Sequence, residues 1–178
     1  LLNEITPDRT FVCASTACTG MIRNSYDLLF QNSSYHNKFR QLQKRTFELS
    51  EFLVDVLKKD NIGSKFFAKA AFMDTCTGLN GCHIKAQPRV LLNNVEGLEL
   101  IEIKDQDECC GFGGNFSVTN PDLSVYMGNK KIDAIIESGA QIVISTDYSC
   151  LLHLNSILHK KGSSLKVMHI ADVLAQGL

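Results

Sequence analysis

Gln141-Ile142-Val143-Ile144-Ser145 reads as a strand that is apolar on both faces. A sheet with one wet face shows alternation, whereas an unbroken apolar run suits a parallel sheet covered by helices on both sides. Similar strands flank it. Phe66 to Met73 is one and ends at Asp74-Thr75-Cys76; Leu98 to Ile103 and Leu165 to Met168 are two more. Helical patterns alternate with them. One carries Pro88 in its first turn, and one runs from about Pro121 to Ser138 before Gly139. A third opens at Cys150 and closes at Lys160-Lys161-Gly162, and a short last one covers His169 to Ala175. These are the usual proline and glycine boundaries of helices. The repeat of strand, loop and helix predicts an α/β fold, a parallel sheet flanked by helices. Ligands of such sheets bind beyond the carboxyl ends of the strands.

This alternation begins after Asn61-Ile62-Gly63. Before it, Phe11-Val12-Cys13-Ala14 is a short strand, Cys18 follows in a turn of small residues, and Met21 to Phe30 reads as a helix. From Phe39 to Leu57, apolar residues at 39, 42, 47, 49, 53, 56 and 57 among charges predict one or two long amphipathic helices.

The 178 residues are ample for a buried core. With 44% hydrophobic and 21% charged residues and a net charge of −1, the chain has neither the basic footprint of a nucleic-acid binder nor a polybasic membrane patch. No apolar run is long enough for a transmembrane segment. Leu1-Leu2-Asn3-Glu4-Ile5-Thr6 lacks the basic and apolar regions of a signal peptide, and the chain starts without methionine, as a processed or truncated one would. Seven cysteines, an odd set without a secretion signal, point to metal or redox chemistry in a reducing compartment, here read as the cytoplasm.

Cys109-Cys110-Gly111, followed by Phe112-Gly113-Gly114, concentrates that chemistry. Successive side chains diverge, so adjacent cysteines pack poorly in a core, and glycines permit backbone angles closed to other residues. Cys76 follows the first strand of the α/β portion, Cys109-Cys110 the second, and Cys150 the third. All four thiols therefore fall at one rim of the sheet. Four thiolates suit tetrahedral zinc or a cubane iron–sulfur cluster. His153 stands three residues beyond Cys150, as a further ligand, a hydrogen-bond donor to sulfur, or a helix residue packed on the rim. Phe11 to Cys18 repeats the pattern of Val143 to Cys150, namely strand, small polar turn, cysteine and helix, which makes Cys18 the counterpart of Cys150 in an earlier unit.

Asp74-Thr75-Cys76, Gln87-Pro88-Arg89, Cys109-Cys110-Gly111-Phe112-Gly113-Gly114 and Ser149-Cys150-Leu151-Leu152-His153 together resemble the CCG cysteine-rich domain family. The type most similar is lactate utilization protein A, with the CCG-bearing subunit of heterodisulfide reductase and the iron–sulfur subunit of glycolate oxidase as relatives. Thr46 to Leu53 resembles the segment that links the two repeats of that family. The resemblance implies that residues 1–60 are the end of a first repeat plus a helical linker, and that 61–178 are a complete second repeat. It also implies an iron–sulfur cluster of 4Fe–4S type, with zinc as the alternative. Cys76, Cys109, Cys110 and Cys150 match the ligand positions of the second repeat, and Cys18 the last cysteine of the first. Where the heterodisulfide reductase motif has a second late cysteine, this chain has His153, which favours a cubane or zinc over a non-cubane cluster. Thr77 replaces a histidine often found after the first ligand.

The resemblance implies an electron-transfer subunit of an oxidoreductase, partnered by other subunits of a lactate or glycolate oxidation system that converts L-lactate to pyruvate. A zinc-holding scaffold and dithiol–disulfide chemistry at Cys109-Cys110 are the alternatives. Outside the four thiols, Cys13 reads as buried packing. Cys82-His83 reads as a loop pair near the rim, and Asp74 and Asp147 as loop-closing or helix-capping residues. No P-loop, dinucleotide fingerprint or Ser/His/Asp grouping is present.

Overall fold

The computed structural model describes residues 9–104 and 107–177. Leu1 to Thr6, read above for a signal peptide, lie outside them. The chain opens with β1 (Phe11–Cys13) and α1 (Thr16–Gly20), which continues through a π-helical stretch, Met21–Ser25, into α2 (Asp27–Phe30). Ser15 starts α1 by accepting the Cys18 N–H at 3.2 Å, as a serine N-cap does. Next come α3 (His36–Lys44), β2 (Thr46–Glu48) and α4 (Leu49–Glu51), which runs on as a π-helical stretch to Val56.

Of the one or two helices expected over Phe39 to Leu57, two helical stretches form, and the strand β2 between them is the correction. Thr46, Phe47 and Glu48 pair in parallel with Phe11, Val12 and Cys13. Glu48 then caps α4, taking the Ser50 N–H while Glu51 reaches back to the Glu48 N–H at 3.1 Å, a reciprocal capping box.

The larger unit follows: β3 (Lys65–Phe72), α5 (Ala86–Asn93), β4 (Glu96–Ile101), α6 (Asn115–Thr119), α7 (Pro121–Glu137), β5 (Ile142–Ser145), α8 (Tyr148–Lys161), β6 (Lys166–His169) and α9 (Ile170–Leu174). Its four strands are all parallel, in the order β4-β3-β5-β6, as the expected α/β fold requires. The two-residue period of a strand sends alternate side chains to opposite faces. Ala71, Met73 and Val143 therefore meet Ile132 and Ile135 of α7 and Leu151 and Leu154 of α8 on one face. On the other, Ala70, Phe72, Ile142 and Ile144 meet Leu91 and Leu92 of α5 and Ile170 and Val173 of α9. The strand that reads as apolar on both faces is buried on both. Among the described residues no helix is long and apolar enough to cross a membrane.

The order of the strands places the site. From β3 the chain steps to β4 on one side, then crosses back to β5 and on to β6 on the other, so the loops after β3 and β5 diverge at a switch point. A crevice opens there, where α/β sheets take their ligands.

Candidate metal centre

Each thiol-bearing loop is built locally for close approach. The Cys76 loop turns into a π-helical stretch, Thr77–Cys82, with the Thr75 hydroxyl accepting the Gly78 N–H at 3.0 Å. In the Cys109-Cys110 loop, Gly111 has φ +87°, and a Cβ there would stand 2.4 Å from the Ser124 carbonyl oxygen. Ser124 in turn donates its hydroxyl to the Gly111 carbonyl at 2.7 Å, tying the loop to α7. Cys150 is the third residue of α8, whose N-cap is Asp147.

Cys76, Cys109, Cys110 and Cys150 all line one cavity of about 490 Å³ at the switch point, together with Thr75, Phe112, Gly113 and Gly114. The thiols hydrogen-bond in a chain, Cys76 to Cys109, Cys109 to Cys110 and Cys110 to Cys150. Hydrogen bonds from Cys110 and Cys76, helped by the Gly111 N–H at 3.4 Å and the charge of buried Lys131, push Cys109 down to about 2. The same bonds, followed by burial, push Cys76 and Cys110 far above the usual thiol range. Four sulfurs thus face a common space. Among the described residues no three His, Cys, Asp or Glu side chains stand arranged for a single metal ion. The donor set is four soft sulfurs lining one cavity, the ligand type of a thiolate-bound metal or cluster.

Of the other sequence candidates, Asp147 lines this cavity and the rest lie outside its lining. The ring of His153 packs on Phe112 with centroids 6.0 Å apart, and its Nε2 faces the Ser124 carbonyl at 3.3 Å. Cys18 is exposed and borders a separate, largely apolar hollow with Phe11, Val12 and Met21. Cys13 is buried in β1, as packing. Cys82 is buried with its thiol donating to the Thr16 carbonyl at 3.5 Å, and burial pushes it up to about 11. Asp74 closes its loop against Arg89, and Asp147 caps α8.

One wall of the cavity was not legible in the sequence: Ala17, Gly20, Met21 and Asn24, from α1 and the stretch after it. A Cβ on Gly20 would lie 2.5 Å from Thr77 Cγ2, so glycine lets α1 settle onto the Cys76 turn. The β1–α1 turn repeats the β5–α8 turn. In both, a short polar N-cap, Ser15 or Asp147, precedes a cysteine at the third helical position.

Across residues 70–155 the chain matches the CCG family, described as a cysteine-rich domain. Lactate utilization protein A of Exiguobacterium sp. (strain ATCC BAA-1283 / AT1b) is 43% identical over 165 residues, covering 92% of this chain and 67% of the relative. The chain belongs to the lactate utilization protein A family. Lactate utilization protein A 2 of Bacillus cereus (strain Q1) is 38% identical over 94% of this chain and 69% of its own. Lactate utilization protein A of Bacillus subtilis (strain 168) is 36% identical over 92% and 68%. All four cavity thiols of this lactate utilization protein A family member fall inside the segment that matches the CCG domain.

Proposed function

We propose that this chain is an iron–sulfur electron-transfer subunit of a lactate-utilization system, with Cys76, Cys109, Cys110 and Cys150 holding a 4Fe–4S cluster. The observation that carries the reading is the meeting of four thiols from three loops in one cavity at the switch point. Once bound, such a cluster takes up and passes on single electrons at a potential set by hydrogen bonds to sulfur, local charge and burial. The chain supplies each of these. Gly111 donates its N–H to the Cys109 sulfur, Lys131 adds a buried positive charge, and Phe112 and Met21 border the cavity with apolar surface. Oxidation of L-lactate to pyruvate would fall to partner subunits, with this chain as an electron relay.

We place the protein in the cytoplasm, where reducing conditions keep its seven cysteines free. Residues 1–60 would be the end of a first CCG repeat with its linker, and 61–178 the second repeat. Metal analysis of anaerobically purified protein tests the reading. About four irons with matching acid-labile sulfide per chain are expected for a Cys₄ cubane. One zinc per chain without sulfide would replace the relay with a redox-silent scaffold.

A further inference from the structure

Asp147 holds two helices with one carboxylate. Its Oδ1 accepts the Ser149 N–H at 3.4 Å and the Ser149 hydroxyl at 2.9 Å, capping the helix that presents Cys150. Its Oδ2 accepts the Ala17 N–H at 3.0 Å and the Thr16 hydroxyl at 3.4 Å, at the start of α1. The first N–H groups of a helix have no partner within it, so both helices gain from the same residue. Asp147 is only 4% exposed. Both helices it holds border the thiol cavity, one through Cys150 and the other through Ala17 and Gly20.

Other contacts follow the same seam. The Thr16 and Thr75 hydroxyls hydrogen-bond at 2.7 Å, and Asn24 donates to the Gly81 carbonyl at 2.8 Å. These reach the Cys76 turn from α1, whereas Asp147 reaches the Cys150 helix.

We propose that Asp147 is a positioning residue of the thiol site, fixing Cys150 and the α1 wall in one relative placement. Alanine at 147 releases both helix starts. Asparagine keeps a single oxygen, enough for one of the two.

The test is cysteine labelling of the full chain before metal loading, with Asp147→Ala and Asp147→Asn beside the parent. Iodoacetamide labelling is followed by peptide mass analysis. Cys150 and Cys76 are expected to label about five- to tenfold faster in the alanine variant, the scale of a lost helix cap. Asparagine is expected to restore part of the protection. Cys13, buried in β1 away from this seam, keeps its parent rate. An unchanged Cys150 rate would overturn the proposal. So would equal acceleration at Cys13, which signals general loosening. Should the alanine variant fail to fold, asparagine carries the same comparison. A second arm rests on the cluster reading: after reconstitution, the variants should lose iron to a chelator faster and shift the midpoint potential. A parent chain that takes up no iron removes the cluster reading but leaves the labelling result standing.

Discussion

Arg89 forks onto both carboxylate oxygens of Asp74, at 2.9 and 2.7 Å, two residues before Cys76. Burial opposes its charge, but hydrogen bonds to Asp74 and Glu102 outweigh that and raise it above the usual guanidinium range. It also lies over the Phe72 ring, 5.0 Å from the centroid. The Asp74 side chain is 2% exposed, so Arg89→Ala leaves a carboxylate buried without its fork. The variant should lose about 3–5 kcal/mol in urea unfolding, the range for breaking one partner of a buried pair. Arg89→Lys should recover only part, because an ammonium cannot reproduce two parallel hydrogen bonds.

Gly111→Ala should be the most damaging glycine change in the thiol loop. Its φ of +87° lies in a region that alanine avoids, and the new Cβ would meet backbone rather than a movable side chain. A loss of at least about 1–3 kcal/mol is expected. Calorimetry gives the stability change, and iron retention after reconstitution reports whether Cys109 and Cys110 have moved.

Glu48 should make the protein less stable as pH rises. Burial pushes its carboxyl above the ordinary 4.5, against the pull of its bonds to Ser50 and Glu51. Its Oε1 has no hydrogen-bond partner among the described residues. A raised value means that the fold favours the neutral acid. That stability is full below 4.5 and is lost as pH climbs through the higher folded value. Glu48→Gln removes the charge and keeps an oxygen for Ser50. At neutral pH it should stabilise by about 1 kcal/mol, the scale of one buried polar mismatch. The gain should shrink toward pH 4, and urea titrations at several pH values measure it.

Thiol reactivity should divide by burial. Cys18 is exposed and should label faster than buried Cys82 in native protein. Cys82, pushed up to about 11 by burial, should react about a hundredfold more slowly at neutral pH, since the thiolate is the attacking form. Stopped-time alkylation with mass analysis separates the two.

The sheet was legible because Gln141 to Ser145 carries its burial in its own composition, and the Cys109-Cys110-Gly111 loop because its residue types are unusual together. β2 was hidden. Thr46, Phe47 and Glu48 sit among apolar residues at helical spacing, and their strand pairing depends on Phe11 to Cys13, far away in sequence. A fully buried glutamate also breaks the rule that acidic residues mark a wet face. The α1 wall left no local mark either. Ala17 and Gly20 are chemically plain, and the bonds that seat them join Thr16 to positions 59 and 131 residues on. The motif placed His153 near Cys150, but only the packing of α8 on α7 turns its ring toward Ser124.

The central claim is that residues 76, 109, 110 and 150 together hold one cluster. Anaerobic reconstitution with iron and sulfide, on the parent chain and on single Cys→Ser variants at all seven cysteines, tests it most directly through broad visible absorption. The account predicts a coloured parent, loss or severe weakening of colour in the four cavity variants, and parent-like colour for Cys13, Cys18 and Cys82. A colourless parent, or four cavity variants that colour as strongly as the parent, would contradict it.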